Sequence, residues 1–401
     1  MKTIIHVRPL SVLYDLCLPP RHKDTKFFLN SFVTWYLCGK NKPAPWRISV
    51  SKFLVSLFAI LSACIFSVQA QKIWTATQAN DWYKRQSWPI GCNFIPSNAI
   101  NELEMWQADT FDPTTIDREL GWAEDLGFNT IRVYLHNLLW ETDATGLKKR
   151  MNEFLAIAFR HRIKTIFVLF DDCWNPDPKI GKQPAPKPGV HNSGWLRAPG
   201  PARIADQSTW PALEQYTKDI LKSFSNDPRV LMWDLYNEPG NSGHLQKTMP
   251  LLKKVFEWAW SVRPAQPLTC AVWNAAPEYK DFNDFQLDNV DVITFHNYND
   301  AKNLENEIVD LQKWGRPLIC SEYMARTNNS TFEKNLPVLK KHQVGAVNWG
   351  LVSGKTNTIY PWGSREGSPE PTLWFHDIFT KDGSAFNKRE IAIIKDITKA
   401  K

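Results

Sequence analysis

Eight short apolar runs, alternating with longer stretches of helical spacing, are the feature that most narrows the folds open to this chain. They lie at residues 89–94, 130–135, 165–170, 230–235, 268–272, 292–295, 317–320 and 345–348. Each is almost continuously apolar, as strands of a parallel sheet covered on both faces must be. The first intervening stretch has Asp112 at an N-cap position, Pro113 at the first helical position, and Ile116, Leu120, Ala123 and Leu126 on one face, with Gly127 to end it. The next carries Leu147, Met151, Phe154, Leu155 and Ala158 in the same period. Further helices are expected around 213–224, 251–262, 304–314 and 332–342. So many strand-helix units in one chain of this size predict an α/β fold, a (β/α)8 TIM barrel, filling residues 71–401 as a single domain.

The formal net charge of +7 invites a nucleic-acid partner until it is located. Residues 1–70 hold nine Lys or Arg against Asp15 and Asp24, which accounts for all of it, and the remainder carries 39 basic and 39 acidic residues. A neutral body has no electrostatic footprint for a phosphate backbone, so no nucleic-acid partner is expected. Arg47 and Lys52 precede an apolar run at 53–68, and Val68-Gln69-Ala70 presents small residues where a signal peptidase cuts. Residues 1–70 are therefore read as a leader, with 1–46 as an over-long start, and the protein as secreted or periplasmic. The run is too short for a stable membrane span of roughly 20 residues, and lipid anchoring through Cys64 is the alternative. The four cysteines beyond the leader, Cys92, Cys173, Cys270 and Cys320, lie in or beside apolar runs without metal-type spacing. They are expected as buried thiols, with no metal and no cofactor. A monomer is the default.

The chemistry is expected at strand ends. Trp233-Asp234-Leu235-Tyr236-Asn237-Glu238-Pro239 puts a carboxylate just past the fourth strand, and Leu318-Ile319-Cys320-Ser321-Glu322-Tyr323 puts another past the seventh. Active sites of such barrels sit at the C-terminal ends of the strands, and strands four and seven face each other across the mouth. Glycoside hydrolysis needs two carboxylates, one to protonate the leaving oxygen and one to attack the anomeric carbon, roughly 5–5.5 Å apart when configuration is retained. Asn237 is placed to hydrogen-bond a sugar 2-hydroxyl. The 19 Trp in the chain exceed what core filling asks for, and stacking on sugar rings is one use for them.

On these residues the whole region beyond the leader resembles a clan A retaining glycoside hydrolase, close in layout to family 5, the cellulase family. The resemblance implies that Glu238 is the acid/base and Glu322 the nucleophile. It implies further that Arg132 supports the nucleophile, that His296 and Tyr298 form the His-x-Tyr pair of strand six, and that Trp349 floors the first sugar subsite. Tyr298, if directed at Glu322, would hold that carboxylate ionised. One departure stands out: family 5 usually presents a His after strand three, whereas this chain has Asp171-Asp172-Cys173-Trp174. Asp171 and Asp172 there would bind sugar hydroxyls in the nonreducing subsite, favouring a pocket and exo action over an open cleft, or Asp172 would cap the following turn. His136 is a replacement for the missing His or a solvated bystander. Trp106 and Trp174 are further stacking candidates, although barrels also bury Trp.

The expected activity is an exported retaining β-glycosidase acting on β-linked polysaccharide or oligosaccharide such as xylan, mannan or glucan. The alternatives are a noncatalytic carbohydrate-binding barrel and a transglycosylase using the same two Glu. Two long Pro- and Gly-rich connections, 175–209 and 352–373, rise from the active face. Whether the first of them closes one end of the groove decides between exo and endo action.

Overall fold

The computed structural model describes residues 73–399. The leader expected at 1–70, with its cleavage site and Cys64, lies outside the described residues.

Eight parallel strands, β1 (Ile90–Asn93), β2 (Thr130–Tyr134), β3 (Lys164–Val168), β4 (Val230–Asp234), β5 (Leu268–Thr269), β6 (Ile293–His296), β7 (Leu318–Glu322) and β8 (Gly345–Trp349), pair in the order 5-4-3-2-1-8-7-6. A parallel bridge between Val272 and Phe295 joins the two ends, so the sheet closes into the (β/α)8 barrel. β5 is shorter than the apolar run at 268–272 predicts. The Ala271 carbonyl accepts from Gln286 Nε2 at 2.6 Å and the Tyr236 carbonyl from the Cys270 thiol at 3.1 Å, so side chains interrupt the ladder there.

The helices are α1 (Ala76–Lys84), α2 (Glu102–Trp106), α3 (Pro113–Asp125), α4 (Asn137–Arg160), α5 (Pro201–Ala205), α6 (Trp210–Ser223), α7 (Met249–Val262), α8 (Lys280–Asn289), α9 (Ala301–Gln312), α10 (Phe332–Lys341) and α11 (Lys388–Thr398). Asp112, Asp300, Thr331 and Asn387 each accept a backbone N–H at the start of α3, α9, α10 and α11, supplying partners that the first turn of a helix lacks. No helical period announces α8. Its fully buried contacts are only Phe282 and Gln286, too few to show as a stripe in sequence.

The barrel interior is layered by chemistry. Ile166, Met232, Val292, Ile319 and Val347 pack at the lower level, and Trp82 and Tyr83 of α1 lie against them. Higher up, Tyr134, Val168, Trp195 and Trp349 form an aromatic group beneath the mouth. Arg132 of β2 and Asp234 of β4 are both fully buried and bring an ion pair into the barrel.

Trp106 belongs to the fold and not to the site. It is fully buried on α2, stacks on Phe111, meets Phe154 edge-on and donates from Nε1 to the Tyr134 carbonyl at 2.8 Å. Its faces are taken by other rings, which removes it as a sugar platform. Trp106→Ala should cost about 3–5 kcal/mol of stability through the cavity it leaves, measured by urea unfolding. A loss below about 1 kcal/mol would contradict the packing described.

Candidate active site

At the C-terminal mouth, Arg132 organises a buried polar cluster. Its Nη1 donates to Glu322 Oε1 at 2.8 Å and to Asn93 Oδ1 at 2.9 Å; its Nε and Nη2 reach Asp234 Oδ2 at 3.0 and 2.8 Å; and Nη2 also reaches Asn237 Oδ1 at 2.7 Å. Nη1 also reaches Tyr134 Oη on its own strand at 2.5 Å, and the other partners sit on different parts of the barrel: β1, β4, the turn after β4, and β7. The planar fork therefore sets the relative positions of those strand ends.

Glu322 ends β7 and points inward because of an irregularity in the ladder. Phe295 is paired with Cys320, but His296 is paired with Glu322, so β7 carries one extra residue at this point. Ile319 faces the interior and Cys320 the outer core. Plain alternation would send residue 322 outward, and the bulge re-aims it. Inside, Glu322 Oε1 accepts from Arg132 and from Tyr134 Oη at 2.8 Å, and Oε2 from Tyr298 Oη at 2.7 Å.

Glu238 lies in the turn after β4 with φ +43°, a left-handed conformation uncommon for a residue with a side chain and enriched at functional sites. His296 Nδ1 is 2.8 Å from its Oε1, the Cys173 thiol is 3.2 Å from its Oε2, and Asn241 Nδ2 also donates to Oε2. Burial pushes the Glu238 carboxyl up, but the hydrogen bond and charge of His296, with Cys173 and Asn241 as further donors, prevail and hold it below the ordinary carboxylate range. Burial, reinforced by Asp171 and Glu238, raises the Cys173 thiol well above its usual value, so it remains a protonated donor at neutral pH.

One oxygen of Glu238, one of Glu322 and a ring nitrogen of His296 lie within 4.8 Å of one another. Three such groups at that spacing also suit a divalent cation. Here, however, the carboxylate oxygens already accept from Arg132, two tyrosines, Cys173 and Asn241, and a guanidinium stands where a cation's charge would be needed. The donor set is that of two charge-paired carboxylates on either side of a cavity.

That cavity has a volume of about 580 Å³ and is lined by Asp171, Cys173, Trp174, Asn237, Glu238, His296, Tyr298, Glu322 and Trp349 among others. Most residues singled out from sequence thus meet in one place. Asp171 accepts from Asn237 Nδ2 at 2.9 Å, Trp195 Nε1 at 2.8 Å and the Cys173 N–H at 2.9 Å, and burial pushes it up to about 7 against those donors. Trp349 meets Tyr134 and Trp195 edge-on and leaves a face to the cavity.

Besides Trp106, two expected residues are elsewhere. Asp172 is fully buried and accepts from Tyr236 Oη at 2.7 Å, the Gly240 N–H at 2.8 Å and Thr248 Oγ1 at 2.5 Å. It ties the turn after β4 to the start of α7, a structural task that leaves no oxygen for sugar. His136 is fully buried as the N-cap of α4, with Nδ1 accepting from the Leu138 N–H at 3.1 Å and Nε2 at 3.1 Å from the Arg197 carbonyl. It is neither solvated nor a substitute for the missing His. Burial lowers it to about 3, so it stays neutral.

Sequence reasoning passed over Asn93, Tyr134, Asp234, Cys173 and Asn241. Period-two alternation offered Tyr134 as the same-face neighbour of Arg132, and Asp234 stood within the quoted run. Asn93 and Asn241 had no signal, because a lone Asn at a strand end reads as turn chemistry.

Residues 197–349 match the family model described as glycosyl hydrolases family 2, TIM barrel domain. That model is not the family 5 to which the motifs are similar. Among solved structures, the GH5_18 protein from Streptomyces cattleya in complex with Manb1-4GlcNAc is 15% identical, with a TM-score of 0.55 over 78% of this chain and 80% of that one. The endo-1,4-beta-mannanase from Rhizomucor miehei is 14% identical, with a TM-score of 0.51 over 77% of this chain and 98% of its own. The endo-beta-1,4-mannanase from Thermotoga petrophila is 16% identical, with a TM-score of 0.50 over 77% and 76%. No curated protein matches by sequence. At such identities the likeness to these structures establishes the (β/α)8 barrel of this chain.

Proposed function

We propose that this protein is an exported retaining β-glycosidase that works by double displacement. The observation that carries the reading is the convergence of Glu238 and Glu322 within 4.8 Å across one cavity, each with a different set of donors. That separation suits attack on a sugar held between them and leaves little room for an interposed water, the arrangement of inversion. The matched family model supports glycoside hydrolysis as the reaction class. The mannanase neighbours support a mannan-type oligosaccharide as the first substrate to test, with xylan and glucan next. Export rests on the leader alone, and no helix among the described residues is long and apolar enough to cross a membrane.

Glu322 attacks the anomeric carbon while Arg132, Tyr134 and Tyr298 keep its lone pairs aimed and its charge compensated. Glu238 gives a proton to the leaving oxygen, and water then enters on its side and returns that proton as the glycosyl-enzyme is cleaved. The anion of Glu322 opposes ionisation of Glu238 in the first step but does not outweigh the His296, Cys173 and Asn241 donors in the free site. Once Glu322 is esterified that charge is gone, and the low carboxyl value set by His296, Cys173 and Asn241 suits Glu238 as a base. Asn237, oriented by Arg132 and Asp171, has a long 3.5 Å contact to Cys173 Sγ that a sugar 2-hydroxyl replaces.

Glu322→Ala should reduce turnover of aryl β-glycosides to background, and azide should restore it with a glycosyl azide of inverted configuration. Activity near that of the parent protein would remove Glu322 as nucleophile. For Glu238→Ala, kcat/KM on oligosaccharides should fall by about 10²–10⁴, and far less in the first step with a dinitrophenyl leaving group that needs no proton. Equal losses on both would exclude an acid role. The donors on Glu238 also set a pH limit: kcat/KM fails on the alkaline side when Glu238 loses its proton. Cys173→Ala removes a donor that favours the ionised form, so its alkaline limb should move to higher pH, while Cys173→Ser, which keeps a donor, should stay near the parent limb. Superimposable profiles for all three would show that the thiol does not act on Glu238.

A further inference from the structure

The two long connections do not stand apart as separate loops. The excursion after β3 is closed at its base by reciprocal backbone bonds between Asp171 and Ala198, at 2.7 and 2.9 Å. Its tip is bonded to the segment after β8: Asn192 N–H to the Thr356 carbonyl at 2.8 Å, Gly367 N–H to the Pro188 carbonyl at 2.9 Å, and Asn357 Nδ2 to the Lys187 carbonyl at 2.9 Å. Both are also fastened to the connection after β1, through Asn101 Nδ2 to the Gly194 carbonyl at 2.9 Å and Lys355 N–H to the Ser97 carbonyl at 3.0 Å. The sector of the mouth from β3 through β2 and β1 to β8 is thereby walled.

The inner face of this wall is a contiguous row of rings. Trp174 lies 5.4 Å from His191, His191 lies 5.4 Å from His376, and His376 lies 6.0 Å from Trp362 and 5.6 Å from Tyr298, the phenol that holds Glu322. The opposite lip carries Asn241, Ser242, Asn274 and Asn299, from the connections after β4, β5 and β6, and Glu238 stands on that side. Since the acid/base meets the leaving oxygen, the leaving group lies over this polar lip and the sugar under attack faces the wall.

The two histidines in the wall have defined polarity. His191 Nδ1 is 2.7 Å from the Tyr360 carbonyl and His376 Nδ1 is 2.6 Å from the Met324 carbonyl. A carbonyl only accepts, so both Nδ1 atoms carry the hydrogen and both Nε2 atoms present a lone pair. His376 is fully buried, lines the cavity, and its Nε2 has no hydrogen-bond partner. Burial keeps both rings neutral, with His191 lowered to about 4. An unpartnered buried acceptor on a residue that lines the cavity is satisfied once a hydroxyl donor reaches it.

We propose that the wall makes the site a pocket for one non-reducing terminal sugar, so that the enzyme acts exo, and that His191 and His376 recognise hydroxyls of that sugar through Nε2. This rests on the glycosidase reading above. The test uses manno-, xylo- and gluco-oligosaccharides whose reducing ends have been reduced with borohydride, the same chains methylated at the terminal non-reducing 4-hydroxyl, and the 4-nitrophenyl β-glycosides of mannose, xylose and glucose. Reduced chains should lose one monosaccharide at a time from the free end, and the methylated chains should resist. His376→Ala should raise KM on the best aryl glycoside about tenfold, with a smaller change in kcat. Early products longer than a monosaccharide, or methylated chains cut at the parent rate, would overturn the pocket while leaving the glycosidase intact. An unchanged KM in His376→Ala would remove the histidine from recognition. Absence of any release from every substrate would bring down the glycosidase reading, and the pocket with it.

Discussion

A fully buried guanidinium is the constraint around which the mouth of this barrel is arranged. Arg132 has no access to water, so each of its donors must find a partner inside the protein, and besides Tyr134 on its own strand the partners come from β1, β4, the turn after β4, and β7. Leaving such a charge uncompensated costs several kcal/mol. The strand ends that supply Asn93, Asp234, Asn237 and Glu322 are therefore held in register by the same interaction that aims the Glu322 carboxylate. Packing of the strand ends and the geometry of the cavity share one residue, which also compensates the charge of Glu322.

Around that centre, the two carboxylates are differentiated by what donates to them. Glu322 receives a cation and two phenols. Glu238 receives an imidazole, a thiol and an amide. The thiol is a weaker and neutral donor. Asp171, just past β3, orients Asn237 and Trp195 and so transmits the geometry of the β3 connection to the lining of the cavity. The loops that wall the cavity are thus tied to the Arg132 cluster through the segment after β3 as well as through their own backbone bonds.

Strand-helix alternation made the barrel legible from sequence, because burial on both faces of a parallel sheet imposes continuous apolar runs that survive as a one-dimensional pattern. Position at strand ends made Glu238 and Glu322 legible, since connectivity alone sends those ends to one face. Helix α8 left no such trace, having few buried contacts. Trp106, Asp172 and His136 were misplaced because composition tells which residues are able to bind sugar and not which way they point. An indole in a core and an indole under a sugar look alike in sequence.

What the sequence by itself determined is the architecture and the pairing of two acidic residues at opposite strand ends, both consequences of periodicity along the chain. Only the tertiary structure decided which way those residues face. The β7 bulge turns Glu322 inward against simple alternation, the left-handed turn at Glu238 presents its carboxyl to the cavity, and the bonds between the two long connections close one side of the mouth. The bulge and the bonds between connections rest on contacts between residues far apart in the chain, and the turn at Glu238 is held by Asp172, in the segment after β3, through the Gly240 N–H. A local pattern carries no record of such contacts, because the free energy that enforces them belongs to the assembled barrel and not to any one of its segments.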